Sequence, residues 1–146
     1  MKNIRIIILL LIVCYFPNLL LAQRFWAEDD GQYYEFSEKG IELINPKSAQ
    51  RTLFLANKLL VPTGKTNALE ISHFSISDNK ERILLYTNSK RVWREETRGD
   101  YWVFDKKTNQ LTQLGASFPA SQLMFAKFNP QGTKVAYVVK SNHNIY

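Results

Sequence analysis

The sequence predicts an all-β fold of small tandem sheets. Three observations carry that expectation: aromatic and aliphatic residues gathered in short runs, turn residues at regular gaps, and a strand–turn–strand unit recurring about every 50 residues. Aromatic residues make up 13% of the chain. Tyr, Trp, Val and Ile favour strands because their flat or branched side chains pack well on a pleated surface. Ile76-Ser77 through Arg82-Ile83-Leu84-Leu85 matches Phe128-Asn129 through Lys134-Val135-Ala136-Tyr137, an offset of 52 residues from Ser77 to Asn129. A fainter copy, Glu28-Asp29-Asp30-Gly31 before Tyr33-Tyr34, lies 49 residues ahead, from Glu28 to Ser77.

That period is the spacing of one propeller blade, a four-stranded sheet that hides its faces only against its neighbours. The expected architecture is an incomplete β-propeller, about two blades of antiparallel four-stranded sheet after an N-terminal signal helix. A small β-sandwich of similar strand count is the alternative, and the period argues against it. A propeller closes with at least about four blades. The final Asn144-Ile145-Tyr146 reads as the opening of a further strand, so residues 23–146 are expected to be a truncated propeller.

The elements follow in order. Arg24 to Ala27 and Gln32 to Phe36 flank a turn, and Ile41 to Ile44 forms a strand closed by Asn45-Pro46. Thr52 to Leu55 reads as a strand running into a short helical turn through Leu60. Ala49, Leu53, Ala56 and Leu60 also fit one helical face. Glu70 to Ser77, Arg82 to Tyr86, Tyr101 to Asp105 and Gln110 to Leu114 alternate as strands, with a long polar connection expected near Lys90 to Asp100. Leu123 to Phe128 and Lys134 to Val139 form a last pair around Asn129-Pro130-Gln131-Gly132.

Residues 1–22 read as a secretory signal peptide. Lys2 and Arg5 precede the apolar run Ile6 to Phe16, and cleavage is expected after Ala22. An uncleaved anchor helix is the alternative, but the run is short for a bilayer and Pro17 would break its last turns. Export to the periplasm or beyond is therefore expected. Removal of the signal takes Lys2, Arg5 and the only cysteine, Cys14, so 17 basic residues remain against 13 acidic ones. No disulfide, thiolate nucleophile or cysteine metal site would remain, and the scattered charge gives no nucleic-acid footprint.

Several short strings invite over-reading. Gly64-Lys65-Thr66 lacks the glycine of a phosphate loop, since Leu59 stands five positions earlier. Arg98-Gly99-Asp100 spells an adhesion tripeptide but fits a strand entry equally well. Gly115-Ala116-Ser117 is followed by Pro119 where a nucleophile elbow needs glycine. His73 and His143 are the only imidazoles. No nucleophile–base–acid set assembles, so no catalytic residue, metal site or cofactor is expected.

Lys90 to Asp105, K-R-V-W-R-E-E-T-R-G-D-Y-W-V-F-D, and Leu123 to Tyr137, L-M-F-A-K-F-N-P-Q-G-T-K-V-A-Y, are more specific. With Ile76-Ser77 and Asn144-Ile145-Tyr146 they resemble the first blades of the dipeptidyl peptidase IV family, especially its secreted bacterial members. The resemblance is strong from Ile71 onward and weak before Val61. It departs from the family's Ser-Pro-Asp-Gly turn at Asn129 and Gln131, and Asp78-Asn79-Lys80 has neither Pro nor Gly. The resemblance implies a serine exopeptidase that removes X-Pro and X-Ala dipeptides from peptide N-termini. Its triad would lie in a C-terminal α/β-hydrolase domain that this chain does not contain, so the chain alone is expected to be inactive. It also allows a homodimer of the full-length form.

The family's Trp/Tyr-Arg pair falls on Trp93-Arg94. The resemblance implies that Arg94 points into the cavity near the substrate backbone carbonyl, with Trp93 supporting it. Composition alone would leave Arg94 a solvated loop cation. Glu95-Glu96 is not the family's glutamate pair, which lies further along the propeller; it reads as a surface charge cluster, with an auxiliary substrate contact open to Glu95. The rival class is a non-catalytic propeller-like binding module.

Overall fold

The computed structural model describes residues 24–27, 31–92, 95–141 and 144–146. The expected signal peptide, residues 1–22, lies outside the described residues, as do Trp93, Arg94 and His143. Strands β1 (Arg24–Trp26), β2 (Tyr33–Ser37), β3 (Gly40–Asn45) and β4 (Gln50–Ala56) form an antiparallel meander in the order β1-β2-β3-β4. A 3-10 turn at Asn57–Leu60 follows, as the sequence reading of a strand entering a helical turn anticipates. Strands β5 (Ile71–Ile76), β6 (Arg82–Val92), β7 (Glu95–Asp105) and β8 (Gln110–Gln113) form a second meander. Strands β9 (Leu123–Phe128) and β10 (Val135–Val139) begin a third unit, and β9 also pairs with β7, joining both into one six-stranded sheet. Ile145 bridges Val138, where a further strand was expected to open. The fold is all-β and propeller-like, with two full blades and the start of a third.

The apolar run Ile83-Leu84-Leu85 shows why blades stack. Side chains alternate across a strand, so a run without polar breaks belongs to a strand covered on both faces. Ile83 and Leu85 join Phe104 on one face, packed against Tyr34, Ile41 and Leu55 of the first blade. Leu84 and Tyr101 take the other face, where Leu123, Phe128, Val135 and Tyr137 of the third unit meet them. Ile83 and Leu85 are fully buried, each stabilising the fold by about 1.5–3 kcal/mol relative to exposure. Polar staples tie the same joints. The Arg82 guanidinium reaches Asp105 Oδ2 at 2.9 Å through Nε, and the Gly132 carbonyl of the third unit at 2.9 Å through Nη1. The Lys106 ammonium lies 3.8 Å from the Phe54 ring centroid of the first blade, and burial pushes its pKa down.

The internal repeat holds at the level of single hydrogen bonds. Ala27 N–H donates to the Gln32 carbonyl at 2.9 Å, Ser77 N–H to that of Arg82 at 2.9 Å, and Asn129 N–H to that of Lys134 at 3.0 Å. These place Ala27, Ser77 and Asn129 at equivalent positions. A second set closes the opposite hairpins. Asn45 Oδ1 accepts the N–H groups of Lys47 at 2.9 Å and Ser48 at 3.3 Å, and Asp105 Oδ1 those of Lys107 at 2.9 Å and Thr108 at 3.2 Å. Ala49 and Asn109 then take the left-handed conformation at φ 55° and 54°. From Ala27 to Ser77 the offset is 50 residues, yet from Asn45 to Asp105 it is 60. The second blade therefore carries ten more residues between its two turns than the first, all within β6 and β7.

Two predictions follow from these turns. Lys80 and Gly132 occupy matching left-handed positions, φ 57° and 66°, with N–H groups bonded to the Ser77 and Asn129 carbonyls at 2.7 and 2.9 Å. A side chain at such a φ costs roughly 1–2 kcal/mol, part of which glycine returns as unfolded-state entropy. Lys80→Gly should raise stability by up to about 1 kcal/mol. Gly132→Ala should lower it by roughly 1–3 kcal/mol, because a Cβ there would sit 2.8 Å from Ser77 Cβ. Urea midpoints that move the other way would refute this account of the turn.

The Asp105 carboxyl is held below its ordinary 3.8 chiefly by the Thr108 N–H, then by the Lys107 N–H and Arg82. A depressed folded-state value means its contribution is complete above the unfolded pKa and fades as the pH falls through the folded one. Wild type and Asp105→Asn should differ in urea midpoint near neutral pH and converge below about pH 4. A gap that persists in acid would show that the carboxylate charge is irrelevant.

Candidate functional site

The ten added residues build an arm. From Arg82↔Asp105 to Thr87↔Asp100, β6 and β7 pair inside the blade, and the ladder then continues through Lys90↔Arg98, Arg91↔Glu96 and Val92↔Glu95. The expected polar connection over Lys90 to Asp100 is therefore corrected: these residues are strand, except for Trp93 and Arg94, which lie outside the described residues. The sequence hides this because the described ribbon residues include no buried apolar side chain. Without one there is no apolar alternation to read, while the backbone groups of the two strands still satisfy each other. Register shifts at Thr87/Lys90 and Lys90/Arg91 mark bulges where the ribbon leaves the blade, and Asn88 takes φ 46° there.

The base of the arm is fixed by side chains sequence reasoning did not single out. The Tyr86 ring lies over Gly99, where a Cβ would come 2.3 Å from ring atom Cε2 and 2.7 Å from the Thr87 carbonyl oxygen. Only glycine leaves that space. The Tyr86 hydroxyl donates to the Arg98 carbonyl at 2.7 Å. One carboxylate oxygen of Asp100 accepts the Asn88 Nδ2 amide at 2.8 Å and the other accepts the Ser121 backbone N–H at 2.7 Å. The Ser121 hydroxyl returns to the Asn88 carbonyl at 2.8 Å. Arg98 and Gly99 also pair with Met124 and Leu123 of β9. The tripeptide Arg98-Gly99-Asp100 is thus strand interior. Its glycine is under a ring and its carboxylate is occupied, which removes the adhesion reading.

The sequence-selected residues fall as follows. Trp93 and Arg94 lie outside the described residues. Glu95 is the first residue of β7, the Cα partner of Val92, with its side chain outside the described part. His73 is exposed on β5 and borders a cavity of about 320 Å³ lined also by Leu84, Tyr86, Tyr101 and Ala126. Burial pushes the Tyr101 phenol up, against the pull of the Ala126 and Phe125 N–H groups, so this cavity offers a neutral hydroxyl. Gly64-Lys65-Thr66 is an open turn closed by Lys65 N–H to the Pro62 carbonyl at 3.0 Å. The signal that could have exposed the arm is the second repeat, N-P-K-S-A-Q at Asn45 against D-K-K-T-N-Q at Asp105, whose longer offset measures the insertion.

Tandem four-stranded blades with a hairpin arm on the second define an all-β, propeller-type region. Residues 77–146 match the model of the dipeptidyl peptidase IV (DPP IV) N-terminal region. Dipeptidyl aminopeptidase B of Saccharomyces cerevisiae is 28% identical over 95 residues, 65% of this chain and 11% of that protein. A probable dipeptidyl-aminopeptidase B of Aspergillus niger is 26% identical over 125 residues, 86% of this chain and 13% of that protein. One from Chaetomium globosum is 33% identical over 66 residues, 45% of this chain and 7% of that protein. The chain thus spans about a tenth of the length of these relatives.

Proposed function

We propose that this chain serves as the N-terminal propeller part of an exported serine peptidase of the dipeptidyl peptidase IV type, which removes X-Pro and X-Ala dipeptides from peptide N-termini. Its role in that enzyme is to gate the approach to a C-terminal α/β-hydrolase domain and to hold the leading end of the substrate. Arg94, flanked by Trp93, is the holding group. A guanidinium stays charged at any working pH and offers a planar fork of donors, so it can orient a peptide carbonyl while balancing carboxylates that bind the substrate's ammonium group. Exclusion of water would strengthen both contacts. Glu95 stands next in sequence as an auxiliary contact.

The observation that carries this reading is the arm. A ten-residue extension of one hairpin, in the region matched by the family, ends its described ladder at the Val92–Glu95 pair that brackets Trp93 and Arg94 in the chain. A strand pair is a stiffer support than a loop for a side chain that must meet a substrate in one geometry. In the peptidase carrying this region, Arg94→Ala should lower kcat/KM for an X-Pro substrate by something on the order of 2–4 kcal/mol in transition-state stabilisation. Steady-state kinetics with an X-Pro chromogenic peptide measures it, and an unchanged kcat/KM would remove Arg94 from the site.

Export belongs to the same proposal, in the periplasmic or secreted form the sequence suggests for a bacterial member. Amino-terminal sequencing of the protein recovered outside the inner membrane should begin at Gln23. Recovery of the chain with Met1 and the apolar segment intact would favour the membrane-anchored alternative.

A further inference from the structure

We infer that Asp100 is the positioning residue that aims the arm, acting on the substrate end through Arg94 without touching it. The inference rests on the Arg94 reading above and deepens it. Asp100 sits where β7 passes from blade to arm, in the last ladder pair before the bulge, Thr87↔Asp100. Its two carboxylate oxygens join two separate pieces of chain: Asn88, the bulge residue of β6 at φ 46°, and Ser121, at φ 56° in the segment leading to β9. Ser121 closes the triangle by donating its hydroxyl to the Asn88 carbonyl at 2.8 Å. The Thr87 hydroxyl adds a longer bond to the Asp100 carbonyl at 3.3 Å.

The geometry is that of a brace. A two-stranded ribbon held mainly by its own ladder is weakly fixed in direction, and bulges let it swing about its root. The Ser72 hydroxyl of β5, 3.1 Å from that of Ser89, ties only the β6 side. Here the root is pinned to the third unit by Ser121 and by the Arg98↔Met124 and Gly99↔Leu123 pairs. A few degrees of rotation at the root displaces the far end by ångströms, a misplacement able to cost a large factor in rate. Asp100 also borders a cavity of about 460 Å³ with Thr87, Asn88, Trp102 and Gln113. Both of its oxygens already accept short hydrogen bonds, so its task is to hold chain, not ligand.

The experiment compares four variants of the peptidase that carries this region: Asp100→Ala, Asp100→Asn, Arg94→Ala and the double Arg94→Ala/Asp100→Ala. Each is assayed for kcat/KM on an X-Pro peptide. Hydrogen exchange of residues 88–99 is followed alongside, with residues 71–76 as the blade control. Asp100→Ala should lower kcat/KM on the order of tenfold and speed exchange in the arm by a similar factor while the blade control stays unchanged. Asp100→Asn should restore both, because a side-chain carbonyl can take the Ser121 N–H and the Asn88 amide can turn to accept from the new NH₂. The double variant should be no worse than Arg94→Ala alone, since a residue working through Arg94 has nothing left to position.

Full additivity in the double variant, or wild-type kinetics for Asp100→Ala, would overturn the inference. Faster exchange in the blade control would do so too, by showing general destabilisation. A silent Arg94→Ala would instead overturn the functional reading. Arm exchange in Asp100→Ala, measured on the chain with or without a catalytic domain, would then decide whether Asp100 holds the arm.

Discussion

A four-stranded blade has two apolar faces and can cover neither by itself. In this chain Ile83, Leu84 and Leu85 stand in one unbroken run, and adjacent members of that run are buried against different neighbours. Everything else in the fold is subordinate to that stacking. The turns repeat because each must return the chain to the same face of the next blade. Arg82 and Lys106 lie where two blades meet because a long cation can satisfy a carbonyl or an aromatic face across the joint while its stem covers apolar surface.

Stacking also explains which parts were legible in the sequence. Strands buried on two faces read as continuous apolar runs, and the turns between them read as Asx- or Gly-bearing gaps, so the blade cores could be placed from residue types alone. The residue types place Glu28 opposite Ser77, one residue out of step with the bonded frame, which aligns Ala27 with Ser77. The departures at Asp78-Asn79-Lys80 proved to concern side-chain identity only: Lys80 adopts the left-handed conformation that Gly132 adopts in the next unit. Backbone geometry is dictated by the ladder on either side, and an unfavourable residue is carried along at modest cost.

The arm was illegible for the opposite reason. Its strands are held by backbone pairing, which every residue except proline can supply, so Lys90 to Arg98 look like any polar connection. Its root was hidden as well, because Asp100, Asn88 and Ser121 come from three separate places in the chain and meet only after β6, β7 and β9 have paired. The tripeptide Arg98-Gly99-Asp100 drew notice for a borrowed meaning. Its physical content is a glycine that admits the Tyr86 ring and a carboxylate that ties two segments. For Trp93, Arg94 and Glu95, the reading of side-chain roles rests on the family motif alone, because Trp93, Arg94 and the Glu95 side chain lie outside the described part.

The distribution of strength along the second hairpin bears on how such a module can work. Inside the blade, the ladder from Arg82 to Thr87 is backed by buried aliphatic and aromatic side chains and opens only with the fold. Beyond Asn88 the described ladder residues include no buried apolar side chain, so the ribbon belongs to the low-stability end of the molecule, where local opening costs little. Any group carried on such a ribbon gains freedom to adjust, at the cost of sampling many orientations. The polar triangle at the root offers a resolution. It constrains direction at the one point where a small angle has the largest effect.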